Sequence, residues 1–470
     1  MEKFQLSIYD TKSRSNQIVS SANGREIRIY CCGPTVYRDA HVGNLRTFLL
    51  SDLVVRTLNY TGIATLVVQN ITDVGHMTDD HSEDKLLSQS AIEKVDPIAI
   101  ARKYEEHFKS DLISLNIRPA DHNPRASECI EMMQAHILKL IELGSAYIGS
   151  DQTVYFSAES FPSYGALSGN RLDQLKPGHR YEYQEDGAKK FHADWALWKA
   201  AGNRTEMVWD SPWGVGFPGW HIECSAMSLD FLKGHVDLHI GGIDLRFPHH
   251  ENERAQSNAI LADMDGEVVD LWLHGEHLLF EGRKMAKSSG NVVLISDVLA
   301  KGFDPLAVRF CFLENRYRSQ MDLSWTSIAA ADETLNKWRS AWQNWGALSN
   351  QTESPLTKSI TDEVLGFFAA DLDTPRAMQT LRQTYKRPDL TGSEKSFVIS
   401  AMDQLFGLDL TAPPKKAKAL TPEISALLKA RLSARLKKNY KLSDELRLQL
   451  NELGVEIQDK GNEQEWHWLN

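Results

Sequence analysis

The order of hydrophobic patterns between residues 27 and 69 constrains the fold of this chain more than any other feature. An apolar run at 27–31 has the length of a short strand and leads into a turn-rich loop. A helical pattern follows, which Gly62 is expected to end, and the run 64–69 is the next strand. Strand, loop, helix and strand in this order are typical of a parallel sheet covered by helices. We therefore predict an α/β fold built on a parallel sheet.

The loop that precedes this helix carries His41, Gly43 and Asn44. Parallel sheets bind ligands at the carboxyl ends of their strands, close to helix N-termini, and this loop lies at that edge. Gly43 has no Cβ and would let a flat ring lie against the backbone. The four residues HVGN could equally form an ordinary loop with a chance histidine, but the longer run CGPTVYRDAHVGN is far more specific.

A second stretch, which runs from GWHIEC to HHENE, carries the residue types that zinc prefers. Cys224, His249 and Glu253 offer a thiol, an imidazole and a carboxylate. Pro248 marks a helix start, which would place His249 and Glu253 one turn apart on the same face. Three ligands leave a tetrahedral zinc one open position, whereas Cys32 would supply a fourth and favour a closed, structural site. The residues themselves leave both alternatives open.

Two further loops have compositions that suit nucleotide chemistry. A strand at 236–240 ends in a loop from Gly241 to Asp244, where the glycines can admit a ribose and the acid can accept hydrogen bonds from its hydroxyls. The run KMAKSSGN contains Lys284 and Lys287, whose ammonium groups could meet phosphate oxygens as charge builds up in phosphoryl or nucleotidyl transfer. Two lysines in a loop, taken alone, are also typical of a solvated surface turn.

Length and composition indicate an ordinary globular protein. The 470 residues allow about two to four domains, and 42% of them are hydrophobic. No apolar run reaches the roughly 20 residues that a membrane-spanning helix needs, and the N-terminus lacks the pattern of a secretory signal, so the expected location is the cytoplasm. The five scattered cysteines argue against a disulfide framework, and Cys31, Cys129 and Cys311 are predicted to be core residues.

The charge distribution separates the body of the chain from its C-terminal part. The net charge of −11 argues mildly against bulk binding of nucleic acid. Nine basic residues nevertheless lie close together, namely Lys415, Lys416, Lys418, Lys429, Arg431, Arg435, Lys437, Lys438 and Lys441. An acidic body with a basic C-terminal region is typical of a chain that meets nucleic acid locally. Trp466 and Trp468 near the end either stack on bases or pack.

Taken together, these motifs resemble those of the class I aminoacyl-tRNA synthetases, and within them the cysteinyl-tRNA synthetase family. CGPTVYRDAHVGN is similar to the first family motif, HIGH, and KMAKS is similar to KMSKS. GWHIECSAM and HIGGIDLRFPHHENE are similar to the zinc-binding segments, and the resemblance covers nearly the whole chain. Four departures are visible, and one of them is the C-terminal run DKGNEQEWHW, which only faintly resembles the usual ending of the family. Asn44 stands at the last position of HIGH, Ala286 stands at the third position of KMSKS, and a longer loop between Val74 and Lys85 replaces an acidic DDK.

The resemblance implies a Rossmann-type parallel-sheet catalytic domain with an insertion, followed by helical bundle domains and a small C-terminal anticodon-binding module. The expected divisions are the first half of the catalytic domain at 1–144, the insertion at 145–205, the second half of the catalytic domain at 206–293, a stem-contact helical region at 294–349, a helical bundle at 350–410 and the anticodon-binding module at 411–470.

The resemblance also implies a two-step reaction. Cysteine attacks the α-phosphate of ATP to give cysteinyl-adenylate and pyrophosphate, and the terminal adenosine of tRNA(Cys) then takes the acyl group. The implied partners are ATP, L-cysteine and tRNA(Cys), with Mg²⁺ held mainly by the ATP phosphates. No membrane is involved, and a monomer is the expectation for the family.

By the resemblance, one zinc ion per chain is held by Cys32, Cys224, His249 and Glu253 and selects the substrate thiol. A metal–thiolate bond would discriminate better than a pocket wall, which separates methylene-sized differences by only about 1–3 kcal/mol. His250 is expected on the helix surface or behind the ligands. How a zinc ion with four protein ligands admits the substrate sulfur stays open.

The resemblance assigns the remaining site residues to catalysis and to the nucleotide. The implied catalytic residues are His41, Asn44, Lys284 and Lys287. The implied ATP or adenylate pocket consists of Gly33, Thr35, His41, Gly43, Asn44, Gly241, Asp244 and Lys287. Asn44 in place of the usual histidine can still donate a hydrogen bond.

Two other functions fit parts of the sequence. A zinc-dependent cysteine:amino-sugar ligase of the mycothiol type would share the adenylation core but would lack the C-terminal RNA-binding part, whereas this chain continues through residues 350–470. A non-catalytic zinc RNA-binding relative would need neither His41 nor Lys287. The presence of both phosphate-side motifs and of the basic C-terminal part favours the tRNA synthetase.

Overall fold

A computed structural model describes residues 4–21, 24, 26–75, 84–175, 188–261, 266–285, 291–345, 353–415, 422–453, 455–460 and 463–468. None of the helices in these ranges combines the length and the hydropathy that crossing a bilayer would demand.

The part of the chain up to residue 275 contains both strands and helices. Its elements are β1 (Ser7–Asp10), β2 (Ser15–Ile18), β3 (Ile27–Cys31), α1 (Val42–Tyr60), β4 (Thr65–Gln69), α2 (Lys85–Glu93), α3 (Pro97–Ser114), α4 (Ile130–Glu142), β5 (Ala146–Ile148), β6 (Val154–Phe156), β7 (Trp195–Ala200), β8 (Gly216–Pro218), α5 (Trp220–Phe231), β9 (Val236–Gly242), α6 (His249–Ile260) and β10 (Val269–Gly275).

The part after residue 275 is mostly helical. Its elements are β11 (Leu278–Phe280), β12 (Arg283–Lys284), α7 (Ile295–Ala300), α8 (Leu306–Leu313), β13 (Met321–Leu323), α9 (Trp325–Asn344), α10 (Pro355–Ala369), α11 (Thr374–Lys386), α12 (Gly392–Phe406), α13 (Pro422–Leu436), α14 (Tyr440–Glu452), β14 (Val455–Lys460) and β15 (Glu463–Trp468).

A parallel sheet of four strands, in the order β10–β9–β3–β4, forms the centre of the α/β unit. Successive side chains of its strands enter two separate cores, as the alternation of a pleated strand requires. Ile29 and Leu238 pack with α1 on one face, and Tyr30 and Trp272 pack with α5 on the other. Every residue of β9 is buried, because both faces of the sheet are covered. The predicted α/β fold with a parallel sheet is confirmed.

A second, antiparallel sheet lies in the chain between α4 and α5. Its strand order is β5–β6–β7–β8. The indole of Trp195 stacks on the ring of Phe156 with 4.5 Å between the ring centroids, and Trp198 is also buried. Burial of these large rings gives the inserted sheet a core that is continuous with that of α5.

A buried ionic cluster joins α1 to the helical part of the chain. Asp52 Oδ2 accepts hydrogen bonds from Arg56 Nε at 2.7 Å and from Arg309 Nη2 at 2.6 Å. Arg309 also donates to the carbonyls of Phe406 and Leu115. Buried charges need paired hydrogen bonds, so this cluster fixes α8 and the end of α12 against α1.

The C-terminal unit consists of α13, α14 and the hairpin β14–β15, around a small core that includes Leu428, Leu450 and Ile457. Arg431, one of the nine basic residues, is buried and donates to both carboxylate oxygens of Asp459, at 2.6 and 2.8 Å. This arginine therefore stabilises the unit instead of offering its charge to a nucleic acid.

The local expectations agree well with the structure. The segment 27–69 contains β3, α1 and β4, and Gly62 lies just after the helix with a φ of 79°. All five cysteines are buried, which confirms the prediction for Cys31, Cys129 and Cys311. Trp466 lies in β15 and is 37% exposed, whereas the side chain of Trp468 lies outside the described part of the chain.

Candidate metal and nucleotide site

The ends of β3 and β9 bring two distant sequence motifs together. The strands are neighbours with Cys31 beside Ile240, and the backbone N–H of Cys32 donates to the Ile240 carbonyl at 3.1 Å. The loop after β3 leads to His41, and the turn after β9 carries Asp244. Both loops leave the carboxyl edge of one parallel sheet, where such sheets bind their ligands.

Four buried side chains form a cluster at this edge. Cys32 follows β3, Cys224 lies in α5, and His249 and Glu253 lie one turn apart in α6. Cys32 Sγ lies 3.9 Å from Cys224 Sγ and 3.7 Å from Glu253 Oε1, and that oxygen lies 2.8 Å from His249 Nε2. One ligand atom from each residue lies within 4.8 Å of the other three. The structure thus brings together the four metal ligands that the resemblance implies.

Two more histidines lie against the same cluster. His239 Nε2 and His250 Nε2 are 3.4 and 3.3 Å from Cys32 Sγ, and with Glu253 they form a second, overlapping set of possible ligands. His250 is fully buried, so its expected alternative place on the helix surface is wrong. Sequence reasoning missed His239. The available signal was a polar residue inside the apolar strand VDLHI, because a buried polar group needs a partner.

Burial controls the protonation of this cluster. It raises the pKa of Cys32 and of Glu253, and it lowers the pKa of His239 and of His250. Burial thus favours the uncharged form of each group. Glu253 Oε2 is buried and receives no hydrogen bond from any residue within the described ranges. A divalent cation would stabilise the ionised forms, and thiols, imidazole and carboxylate are the donor set of zinc. The residues fit such an ion.

Hydrogen bonds behind the cluster orient its imidazole rings. His249 Nδ1 lies 2.9 Å from His221 Nδ1, which leaves His249 Nε2 facing Glu253. His250 Nδ1 lies 2.8 Å from His274 Nε2. A hydrogen bond on one ring nitrogen fixes the tautomer and the direction of the other nitrogen, as is usual behind metal ligands.

The helix α6 carries polar residues into the interior. Its first nine residues, HHENERAQS, are all buried. The inserted segment supplies partners for two of them, because the Tyr164 hydroxyl donates to Asn252 Oδ1 at 2.5 Å and the Ser168 N–H donates to Glu251 Oε2 at 2.7 Å. The insertion therefore helps to hold the helix that carries His249 and Glu253.

His41 caps the N-terminus of α1. Its Nδ1 accepts a hydrogen bond from the Asn44 N–H at 3.2 Å, and Asn44 Oδ1 accepts one from the His41 N–H at 3.2 Å, which completes a capping box. Because Nδ1 accepts, a neutral His41 carries its proton on Nε2 and can donate from there. Burial and the nearby Arg38 lower the pKa of His41, and its backbone hydrogen bond and the charge of Asp244 act in the opposite direction.

Two glycines permit close approaches at the same edge. A Cβ on Gly43 would lie 2.7 Å from Cε of Met285 and 3.1 Å from Cε1 of His41. We expected a flat ligand ring to lie against Gly43, and the side chains of Met285 and His41 lie next to that glycine. A Cβ on Gly241 would lie 2.4 Å from Cε1 of His250, so this glycine makes room for the buried imidazole. The strand β9 continues through Gly242, so the expected loop from Gly241 begins two residues later than predicted.

The other expected nucleotide residues lie in the loops around this edge. The Gly33 N–H donates to Asn70 Oδ1 at 2.8 Å, and Thr35 forms a bridge with Thr72. Lys284 ends β12 and is exposed. Lys287 lies outside the described residues.

Solved structures share this fold. The Mycobacterium tuberculosis methionyl-tRNA synthetase in complex with methionyl-adenylate superposes with a TM-score of 0.55 at 15% identity, covering 87% of this chain and 94% of that chain. A ternary complex of Agrobacterium radiobacter K84 agnB2 LeuRS with tRNA and LeuAMS gives a TM-score of 0.59 at 10% identity, covering 83% of this chain and 84% of the other. A family model described as the class I (C) tRNA synthetase catalytic domain matches residues 18–333. The fold and its motif-bearing sheet edge therefore define a class I aminoacyl-tRNA synthetase.

Comparisons of sequence narrow the class to one family. A model described as the cysteinyl-tRNA ligase anticodon binding domain matches residues 417–466. A cysteine–tRNA ligase of Thermus thermophilus is 38% identical and aligns over 98% of this chain and 99% of its own length. That of Treponema denticola is 34% identical over 99% of this chain and 100% of its own length. The chain belongs to the cysteine–tRNA ligase family.

Proposed function

We propose that this chain activates cysteine with ATP, giving cysteinyl-adenylate and pyrophosphate, and then transfers the cysteinyl group to the 3′ end of tRNA(Cys). One observation carries the proposal. The thiol-rich cluster at Cys32 and the phosphate-side residue His41 follow the same strand and face one sheet edge. Substrates that contact both the cluster and His41 need a soft metal ligand for the first and a phosphate group for the second. Cysteine supplies the thiol and ATP supplies the phosphates.

Cys32, Cys224, His249 and Glu253 would hold one zinc ion per chain. A zinc ion held there would supply a soft Lewis acid, which would favour the thiol of cysteine because a thiol is softer and far more acidic than the hydroxyl of serine. The contribution of the protein is to keep two thiols and a carboxylate in a buried pocket, with the ring of His249 held by His221.

The nucleotide would lie along the adjoining loops. His41 would donate from Nε2 to a phosphate oxygen as charge develops, acting by position and not as a base. Asp244 would accept hydrogen bonds from the ribose, and Lys284 and Lys287 would neutralise the pyrophosphate. The backbone around these groups would be formed by Gly33, Thr35, Gly43, Asn44 and Gly241. Mg²⁺ would accompany ATP, held mainly by phosphate oxygens.

We also propose a function for each domain of the chain. Residues 1–144 and 206–293 would form the catalytic domain around the insertion 145–205. Residues 294–349 would contact the tRNA stem, with the bundle 350–410 behind them, and the module 411–470 would read the anticodon. As the family leads us to expect, the enzyme would be a monomer of the cytoplasm.

The proposal predicts the result of two assays on zinc-replete protein. Cysteine should support exchange of pyrophosphate into ATP, and tRNA(Cys) should become charged with cysteine. Serine at equal concentration serves as the control substrate and should support neither reaction. Exchange without charging would favour the cysteine:amino-sugar ligase, and absence of exchange would favour a non-catalytic relative.

Metal binding is predicted to depend on pH with a definite sign. Burial raises the pKa of Cys32 and Glu253 in the metal-free protein, so these groups hold protons that zinc must displace. The apparent affinity for zinc should therefore rise with pH, by about tenfold per pH unit for each displaced proton. Competition with a chelator between about pH 6 and about pH 8 measures the slope. Cys129→Ser, a buried cysteine outside the cluster, should follow the wild-type curve, and a flat wild-type curve would contradict the ligand assignment.

A further inference from the structure

Arg46 is a buried cation in α1 whose guanidinium donates to backbone carbonyls. Its Nη1 donates to the carbonyls of Glu276 and His277 at 2.9 and 3.0 Å. Its Nη2 donates to the carbonyls of Arg316 and Ser319 at 2.9 and 2.8 Å. Burial disfavours the charge and lowers the pKa of Arg46 to about 10, so a buried arginine at this position needs all of these hydrogen bonds.

The four carbonyls lie just before two strands of one small sheet. Glu276 and His277 connect β10 to β11, and the residues 316–319 form the turn before β13. β11 pairs in parallel with β13 and antiparallel with β12, in the order β12–β11–β13. A single side chain of α1 thus fixes the starting points of two adjacent strands, and their pairing sets the position of the third.

The same end of this small sheet contacts α1 a second time, because β12 is antiparallel to β11 and Lys284 pairs with Leu279 near the start of β11. Met285 follows directly after Lys284, the last residue of β12, and its methyl group would lie 2.7 Å from a Cβ on Gly43. Gly43 stands between His41 and Asn44, the two members of the capping box. The sheet therefore contacts the first two turns of α1 twice at one of its ends, before β11 and β13 begin and after β12 ends.

The turn before β13 is itself anchored to the helical part. The Tyr317 hydroxyl donates to Asp371 Oδ1 at 2.5 Å, and Arg318 donates to Asp371 Oδ2 at 2.6 Å. Asp371 and Leu372 have φ angles of 59° and 49°, a left-handed conformation that residues with a Cβ rarely adopt. Two such residues in succession persist only where their surroundings hold them. Arg46 therefore binds a turn whose position is well defined.

We propose that Arg46 is a positioning residue for the adenylation step, because it holds Lys284 at a fixed place relative to His41. The inference rests on the proposed function, in which both of these side chains meet the phosphates of ATP. Their joint action requires a single geometry, and a small displacement of one of them lowers the rate. The proposed metal ligands lie directly after β3 and in α5 and α6, so the thiol pocket does not depend on this arginine.

The test compares Arg46→Met with Arg56→Met in the full-length chain. Arg56 is the matched control, a second buried arginine of α1 that donates to the carbonyls of Gln404 and Asn116, away from the small sheet. Arg46→Met should lower kcat of cysteine-dependent pyrophosphate exchange about 100-fold, the effect expected of a displacement of about 1 Å, and should leave zinc content and KM for cysteine within about twofold of wild type. Arg56→Met should lower the Tm without this split between kcat and KM.

Limited digestion with trypsin adds a readout that a general loss of stability would not produce. Cleavage after Arg283 and Lys284 should be faster in Arg46→Met than in Arg56→Met, at a temperature where both variants are folded. Equal losses of kcat and equal cleavage rates in the two variants would overturn the proposal, and so would a wild-type kcat in Arg46→Met.

A conservative variant covers the case in which Arg46→Met does not fold. Arg46→Lys keeps the charge but cannot bridge four carbonyls, because lysine is a point donor and not a planar fork. Arg46→Lys should also lower kcat while leaving KM for cysteine unchanged, but by a smaller factor than Arg46→Met. A wild-type kcat with a wild-type cleavage rate would overturn the proposal. If the wild-type protein shows no exchange at all, the proposed function fails, and the digestion still decides whether Arg46 holds the end of β12.

Discussion

Replacing Cys224 by serine is expected to remove most of the bound zinc and most of the cysteine-activating ability. The thiol lies 3.9 Å from Cys32 Sγ in a buried cluster, and the serine hydroxyl is a harder and far less acidic ligand for zinc. Loss of a group that only orients a ligand lowers metal affinity about 10–100-fold, so loss of a direct ligand should exceed about 100-fold. Elemental analysis gives the zinc content, and exchange kinetics give kcat/KM for cysteine.

The control for this substitution is Cys129→Ser. Cys129 is likewise a buried cysteine, but it lies at the N-terminus of α4 and outside the cluster. It should keep one zinc ion per chain and the wild-type kcat/KM. Stoichiometric zinc together with full activity in Cys224→Ser would show that the ligand assignment is wrong.

His41→Asn is expected to lower kcat of pyrophosphate exchange by about 100- to 1000-fold, the range found when one preorganised donor to a developing charge is removed. The Tm should change little, because asparagine is among the best N-cap residues and can still accept from the N–H of Asn44. The substitution thus separates the observed role of this side chain, capping α1, from its proposed role, donating from Nε2. Exchange kinetics and a thermal melt measure the two effects.

Thr391→Asn is the matched control for the capping role. Thr391 is the N-cap of α12 and forms a capping box with Glu394, far from the candidate site in the sequence. Its replacement should leave both kcat and Tm close to wild type. A wild-type kcat in His41→Asn would reduce His41 to a helix cap, and a parallel loss of Tm and kcat would mean that the cap itself is what the activity requires.

The parts of the fold that depend on short-range patterns could be predicted from the sequence. The segment 27–69 forms the expected strand, helix and strand, and α6 begins at His249 directly after Pro248. The meeting of Cys32 with Cys224 could not be derived in this way. The two residues are 192 positions apart, and only the strand order of the parallel sheet brings them together. The resemblance to a family, and not the local chemistry, supplied that pairing.

His239 and Arg46 illustrate what local reasoning leaves out. His239 is one polar residue in an apolar strand, and the groups around it are Cys32 after β3, His250 in α6 and Trp272 in β10. Arg46 resembles any arginine on a helix, and its acceptors are backbone carbonyls 230 to 273 positions away. Every residue has a backbone carbonyl, so the residue type does not show which carbonyls accept a hydrogen bond. Such a contact can be recognised only in the three-dimensional structure.

The burial of α6 limits how far this chain could be trimmed or rearranged. The segment between α4 and α5 supplies the hydroxyl of Tyr164 and the N–H of Ser168 to the same helix that carries His249 and Glu253. A fragment without that segment would offer water in place of two fixed partners, and the helix would lose part of its orientation. We therefore expect that a fragment must retain this segment to keep the cluster in place, and that the chain is better split into two co-expressed parts outside it.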